Sequence, residues 1–162
     1  MSSSVGGGAR WSAIDPSGGD TVGMNRTGRC ECGGVRYRVT GPMRPVVNCH
    51  CGRCRRITGH FMAATGCADT DLSLEADETL RWYEPAPGVF YGFCRTCGST
   101  LFWRSDENPG WTSVAAGPLD QPTGLRTKAA WWTAEAADYH ILDQTITNYA
   151  YESGHVGFDA GG

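Results

Sequence analysis

The sequence predicts a mainly β fold with few short helices. Short runs of β-favouring residues alternate with glycine and proline along most of the chain, a pattern typical of strands joined by tight turns. In the clearest run, Val35, Tyr37 and Val39 alternate with Arg36 and Arg38. Alternation with a period of two predicts a strand that buries one face.

Further β-like runs follow the same punctuation, while helical periodicity is poor throughout the chain. We expect at most a short helix after Cys54 or over residues 135–138. The other predicted strands cover 46–47, 72–74, 80–83 and 100–103.

The length of 162 residues suggests a single domain. Hydrophobic residues make up 40% of the chain, which is enough apolar mass for a core that does not depend on metal alone. Both ends are rich in serine and glycine and show little apolar periodicity. We therefore expect a flexible leader at 1–26, one domain over 27–150 and a flexible tail at 151–162.

The overall charge argues against nucleic acid as a partner. The chain has 14 basic and 17 acidic residues and a formal net charge of -3, whereas proteins that bind phosphate backbones usually show a basic excess. No apolar run approaches the roughly 20 residues needed to span a bilayer. The first 25 residues do not have the pattern of a secretory signal. We expect a cytoplasmic protein without membrane contact.

Eight cysteines dominate the chemistry of the sequence, and seven of them fall into clusters. An even number of cysteines in a secreted protein often indicates disulfides. In a reducing cytosol, the same clusters more often bind metal or take part in catalysis. Metal binding is therefore the favoured interpretation, with disulfides as the alternative.

Two of the clusters form a closed set of four ligands. Cys94-x-x-Cys97 precedes Gly98, which is typical of a zinc knuckle, since glycine permits the tight turn. In Cys30-x-Cys32, residues i and i+2 of an extended segment project to the same side and can reach one ion. A zinc ion with four protein ligands is best interpreted as structural.

The central cluster supplies three thiols within six residues, Cys49, Cys51 and Cys54. Three protein ligands leave a fourth position for water or substrate, which is the pattern of catalytic zinc. We therefore predict two zinc ions per chain. The spacing alone leaves another partition open, in which Cys49 or Cys51 completes a different set of four.

Several residues near the central cluster are candidates for binding or catalysis. Arginine binds carboxylates well, so the arginines can bind the carboxylates of a substrate or form a solvated polar turn. His50 and His60 are candidate proton donors, and His50 can also be structural. The arginines in question are Arg53, Arg55 and Arg56.

Together these motifs resemble the glutathione-dependent formaldehyde-activating (GFA) family, whose domain also occurs in centromere protein V. The resemblance covers about 27–149. It implies a β-tent fold of small sheets built around a structural four-cysteine zinc. It also implies that Cys49, Cys51 and Cys54 bind a second, exchangeable zinc. The segments that carry it are 28–37 (GRCECGGVRY), 49–59 (CHCGRCRRITG) and 93–101 (FCRTCGSTL).

The resemblance also implies an activity, that of a carbon–sulfur lyase of the S-(hydroxymethyl)glutathione synthase type. Such an enzyme joins a thiol such as glutathione, its co-substrate, with formaldehyde or a related small aldehyde. The alternatives are a non-catalytic protein of the same fold that binds a thiol, an adduct or zinc, and a zinc-ribbon interaction protein. The open three-cysteine site favours the lyase and the binding protein over the interaction module.

Overall fold

The computed structural model describes residues 25–151, and within that range it is built almost entirely of strands. The prediction of a mainly β fold with few short helices is confirmed. The predicted flexible leader and tail lie outside the described residues except for 25–26 and 151. No helix among residues 25–151 has the length and apolar character needed to cross a membrane.

Eleven strands and one α-helix, α1 (Gly52–Thr58), are found in residues 25–151, with short 3-10 turns at Asp69–Asp71 and Thr133–Glu135. All five strand runs predicted from the sequence lie in or overlap these strands. The strands are β1 (Arg26–Arg29), β2 (Arg36–Val39), β3 (Val46–Cys49), β4 (Met62–Ala68), β5 (Leu72–Ala76), β6 (Leu80–Ala86), β7 (Val89–Cys94), β8 (Thr100–Ser105), β9 (Trp111–Ala115), β10 (Thr127–Trp131) and β11 (Thr147–Asn148).

The strands form a three-stranded and an eight-stranded sheet. The small sheet has the order β1-β2-β5 and is antiparallel. The large sheet has the order β11-β10-β3-β4-β9-β8-β7-β6. Strand β10 runs parallel to both β3 and β11, and the other neighbours in this sheet are antiparallel. Strand β3, which ends at Cys49, therefore lies inside the large sheet.

One hydrophobic core joins the two sheets. Tyr37 of β2 meets Phe102 of β8 edge to face, with 5.1 Å between the ring centroids. Val35, Tyr37 and Val39 are fully buried in this core, as the alternating pattern predicts. Cys67, the one cysteine outside the clusters, is also fully buried there. It packs as a small apolar side chain.

A second, smaller core surrounds the central cysteine cluster. Met62 and Ala64 of β4 belong to this core, whereas Cys67 of the same strand belongs to the first. Alternate residues of a strand face opposite sides, so β4 contributes to both cores. Tyr91 of β7 and Cys54 of α1 complete the second core together with Ala115. This core anchors the helix that carries two of the three clustered cysteines.

Candidate metal centres and the adjoining cleft

Two turns that are distant in sequence bring four cysteines together. Cys30 and Cys32 follow β1, while Cys94 ends β7 and Cys97 lies in the turn after it. The four sulfur atoms all lie within 4.8 Å of one another. Cys32 and Cys94 are 62 residues apart in the sequence, and their sulfurs are 3.6 Å apart. The group therefore connects the small sheet to the end of the large one.

The two turns have similar backbone geometry. The Cys30 amide donates to the Val35 carbonyl at 3.0 Å, and the Cys94 amide donates to the Ser99 carbonyl at the same distance. Each turn contains a glycine with positive φ, Gly33 at 74° and Gly98 at 77°. Glycine adopts this conformation without the steric cost that other residues meet. The backbone geometry of the turn therefore explains why a zinc knuckle has glycine at this position.

The donor set and spacing of this group fit zinc. Four sulfurs around one zinc, each with a bond of about 2.3 Å, would stand about 3.8 Å apart in a tetrahedron. The Cys30 and Cys32 sulfurs are 3.5 Å apart, close to that value and far from the roughly 2.05 Å of a disulfide. All eight cysteines are free thiols in the structure.

Hydrogen bonds support the sulfurs of this four-cysteine group. The Val35 amide donates to the Cys30 sulfur at 3.2 Å. The Thr79 hydroxyl lies 3.2 Å from the Cys94 sulfur, and the Ser99 hydroxyl lies 3.3 Å from that of Cys97. Contact with Ser99 is the main reason that the pKa of Cys97 falls to about 5. Such contacts stabilise thiolates, the form that binds metal.

The three-cysteine group lies where β3 passes into α1. Cys49 ends the strand, Cys51 is the N-cap of the helix, and Cys54 lies in its first turn. Their sulfurs all lie within 4.8 Å of one another. Among residues 25–151, no cysteine, histidine or carboxylate joins them as a fourth ligand. The donor set suits zinc with one open position, and the role of these three residues as ligands stays a prediction.

Each sulfur of this group has a different environment. The Cys54 amide donates to the Cys51 sulfur at 3.4 Å. Contact with the thiols of Cys49 and Cys54 lowers the pKa of Cys51 to about 2, while the same kind of contact raises the pKa of Cys49 far above its usual value. The three thiols therefore share their protons and titrate as one coupled group. A cation would displace the remaining protons, since metal binding deprotonates thiols.

The Cys54 sulfur lies 3.3 Å from the hydroxyl oxygen of Tyr91. Both side chains are buried, and Tyr91 is only 2% exposed. Burial, reinforced by the nearby Cys54, raises the pKa of Tyr91, so the phenol keeps its proton and is able to donate it in a hydrogen bond. No motif in the sequence singles out Tyr91.

A buried cation lies close to the same site. Arg44 is 6% exposed and donates from Nη1 to the carbonyls of Ala64 and Pro45, both at 3.0 Å. Its guanidinium lies 5.6 Å from the centre of the Trp131 ring, and Trp131 is the register partner of Cys49. Burial lowers the pKa of Arg44 to about 10, which leaves it charged at neutral pH. The guanidinium favours negative charge on Cys49.

The structure distinguishes the three arginines of α1. Arg53 is exposed, and Arg56 donates to the Gly52 carbonyl at 3.2 Å. The Nε atom of Arg55 is buried and has no hydrogen-bond partner among the described residues. A buried donor without a partner is costly, so Arg55 is the one of the three arginines whose Nε would gain from an acceptor.

The two candidate histidines meet a third one that the sequence did not indicate. His140 lies 4.9 Å from both His50 and His60, measured between ring centroids, and Phe61 packs among them. His50 is 2% exposed, and burial lowers its pKa, with smaller effects from the neighbouring basic groups. The role of His50 or His60 as a proton donor stays a prediction. His140 is far from His50 and His60 in the sequence, so no local motif could indicate it.

An open cleft of about 610 Å³ adjoins the second core. Ile57, Met62 and Ala115 line it and also belong to or pack against the second core, which contains Cys54. A smaller cavity of about 280 Å³ shares Ile57 with the cleft and is lined by Tyr91. Exposed charged residues of both signs lie along the cleft: Arg29, Glu31 and Asp120.

Comparison with known proteins decides the family. A family model described as "Glutathione-dependent formaldehyde-activating enzyme" matches residues 25–135. The chain belongs to the GFA family. The resemblance inferred from the three cysteine motifs is therefore confirmed.

Two known proteins are similar to this GFA chain in sequence or in structure. A Halomonas elongata protein named "Putative glutathione-dependent formaldehyde-activating enzyme" is 34% identical over 95 residues, which cover 54% of this chain and 59% of that relative. The match thus spans less than two thirds of the relative's length. The crystal structure of a Rhodobacter sphaeroides protein matches with a TM-score of 0.50 and 26% identity, covering 63% of this chain and 99% of that one.

Proposed function

We propose that this protein is a zinc-dependent carbon–sulfur lyase that joins a thiol such as glutathione with formaldehyde or a related small aldehyde. In this reaction a carbon–sulfur bond forms between the thiol sulfur and the aldehyde carbon. The thiol proton ends on the aldehyde oxygen. Membership of the GFA family and the name of the Halomonas relative support this reaction class.

The observation that carries the proposal is the incomplete ligand set of Cys49, Cys51 and Cys54. Their sulfurs converge within 4.8 Å, and no fourth protein ligand is present in residues 25–151. A zinc ion bound there would accept a further sulfur and lower the pKa of an incoming thiol. Cys30, Cys32, Cys94 and Cys97 would hold the second zinc of the chain in a closed, structural site.

The surroundings suit a thiol that carries charged groups. The cleft beside Ile57 and Met62 is large enough for a peptide-sized ligand. Arg29 and Asp120 supply charges of both signs along it, which suits a zwitterionic thiol such as glutathione. The free Nε of Arg55 is a further donor for a carboxylate.

Calorimetry with the zinc-loaded protein tests the role of the open site. Glutathione should bind more tightly than S-methylglutathione, which keeps both carboxylates but cannot form a thiolate. Cys51→Ser should remove this difference. Equal affinity of the wild-type protein for the two ligands would show that zinc–sulfur bonding plays no part. If glutathione binds but the adduct forms no faster than in buffer, the protein is a thiol-binding member of the family and not a lyase.

The same calorimetry assigns the carboxylate contact. Arg55→Ala should weaken glutathione binding by about 1–3 kcal/mol, because a charge-assisted hydrogen bond is lost. Arg53→Ala is the matched control, since Arg53 is an exposed arginine of the same helix. We expect it to change the affinity by less than about 0.5 kcal/mol. Equal losses for the two variants would contradict the assignment to Arg55.

A further inference from the structure

The three sulfurs of the open site differ in the hydrogen bonds that they receive. The Cys51 sulfur accepts a hydrogen bond from the backbone amide of Cys54, in the turn that begins α1. Of these three sulfurs, only that of Cys54 has a side-chain hydroxyl within hydrogen-bonding distance among the described residues, that of Tyr91 at 3.3 Å. The two residues are 37 positions apart in the sequence, so this contact exists only in the folded protein.

The position of Tyr91 fixes its hydroxyl. The residue lies in β7, between β6 and β8, and its ring packs in the second core against Cys54 and Met62. A buried tyrosine in the middle of a sheet has little freedom to move its hydroxyl away. A neutral phenol donates and a thiolate accepts, so the hydrogen bond runs from Tyr91 to Cys54 once Cys54 has lost its proton.

A hydrogen bond of this kind changes what the sulfur does. Donation to a thiolate withdraws charge from the sulfur and makes it a poorer nucleophile, while the sulfur remains a metal ligand. Such outer contacts orient ligands and tune the metal. An aldehyde that enters the open site would meet the protein's own thiolates as well as that of the substrate. Productive addition requires that the protein's own sulfurs do not react.

We propose that Tyr91 is a positioning residue that donates a hydrogen bond to Cys54, keeps this sulfur a metal ligand and suppresses its reaction with electrophiles. One consequence, that an aldehyde reacts with the substrate thiolate and not with Cys54, rests on the proposed function. The effect of Tyr91 on the metal and on Cys54 reactivity does not, because it can be measured without glutathione or an aldehyde.

The test compares Tyr91→Phe with Tyr83→Phe. Tyr83 is directly opposite Tyr91 in the β6–β7 pair and lines the same small cavity, but it is 54% exposed. Both variants lose one hydroxyl and keep the ring. The first readout is the sulfur-to-cobalt charge-transfer band after replacement of zinc by Co²⁺. The second is the rate at which iodoacetamide alkylates Cys54 in excess zinc, located by peptide mass spectrometry.

Tyr91→Phe should move the charge-transfer band to lower energy, because the sulfur becomes a stronger electron donor. It should raise the alkylation rate of Cys54 about tenfold, as expected for loss of one hydrogen bond to a charged group. In that reaction the sulfur forms a bond to carbon and iodide leaves. A third measurement, the zinc affinity of the open site from competition with a chelator, should show a loss of about tenfold. Tyr83→Phe should leave all three measurements unchanged.

A second variant separates the hydrogen bond from packing. Incorporation of 3-fluorotyrosine at position 91 makes the phenol a stronger donor with nearly the same shape. It should shift the band to higher energy and slow alkylation, the opposite of Tyr91→Phe. The 3-fluorotyrosine variant tests the hydrogen bond even if Tyr91→Phe does not fold. Unchanged band energy and alkylation rate in the position-91 variants, or changes equal to those of Tyr83→Phe, would overturn the proposal.

Discussion

Two buried tyrosines differ in whether the hydroxyl group has a hydrogen-bond partner. Tyr91 has the Cys54 sulfur as a partner. The Tyr37 hydroxyl is buried without any hydrogen-bond partner among the described residues. It occupies the space beside Gly28, where a Cβ atom would overlap it. The Tyr37 ring contributes to the core through its contact with Phe102, whereas its hydroxyl has no stabilising partner within residues 25–151.

Tyr37→Phe should therefore stabilise the protein. The change removes a buried polar group that has no partner and keeps the edge-to-face contact with Phe102. We expect the free energy of unfolding to rise by about 1 kcal/mol, at the low end of the cost of an unpaired buried group. Urea denaturation of the zinc-loaded protein measures it. A loss of stability would mean that the hydroxyl has a partner, such as a buried water molecule.

At the scale of single residues, the clustered cysteines could be predicted from the sequence, but the side chains that surround them could not. Cys49, Cys51 and Cys54 are recognisable because ligand spacing is local. Tyr91 and His140 reach the site only through folding, from 37 residues after Cys54 in one case and 90 residues after His50 in the other. Arg55 could be named as a candidate, but its sequence neighbours Arg53 and Arg56 were equally good ones until burial distinguished them.

At the scale of elements, five of the eleven strands in residues 25–151 were predicted from their alternating, β-branched or aromatic runs, namely β2, β3, β5, β6 and β8. Strand β4 was not, because its sequence, MAATGCA, consists mainly of small residues with low strand propensity. This strand lies inside the large sheet and faces both cores, so no polar face marks it. Its central Gly66 is required for packing, because a Cβ there would lie 2.7 Å from the Trp111 ring.

The two cysteine groups belong to different kinds of element, and their loss should have different consequences. Cys97→Ser should unfold or aggregate the protein, since the four-cysteine group connects turns that are 62 residues apart and a metal ion bound there would supply folding free energy. Cys51→Ser should leave the protein folded with a loss below about 2 kcal/mol, because its group spans only the β3–α1 junction.

Thermal unfolding of both variants, followed by circular dichroism, tests this difference. The serine substitutions are matched, because each removes one thiol from a turn and replaces it with a hydroxyl. A melting temperature lowered more by Cys51→Ser than by Cys97→Ser would contradict the division into a structural and an open site.

At the scale of the whole molecule, the arrangement of the sheets determines what surrounds the open site. The parallel pairing of β10 with β3 brings Trp131 beside Cys49, and the pairing of β7 with β8 brings Tyr91 into the second core. Such pairings over long distances are not encoded in any short stretch of sequence. The fold class and the grouping of the cysteines could therefore be predicted, but the cleft and its charged lining could not.

The most direct test of the lyase proposal is the rate of adduct formation itself. Exchange NMR with ¹³C-formaldehyde and glutathione measures this rate at equilibrium, where the uncatalysed addition can be subtracted. The zinc-loaded wild-type protein should accelerate the exchange in proportion to its concentration, and Cys51→Ser, which retains the structural four-cysteine group, should not. An exchange rate equal to that in buffer, from a protein that contains two zinc ions per chain, would contradict the account.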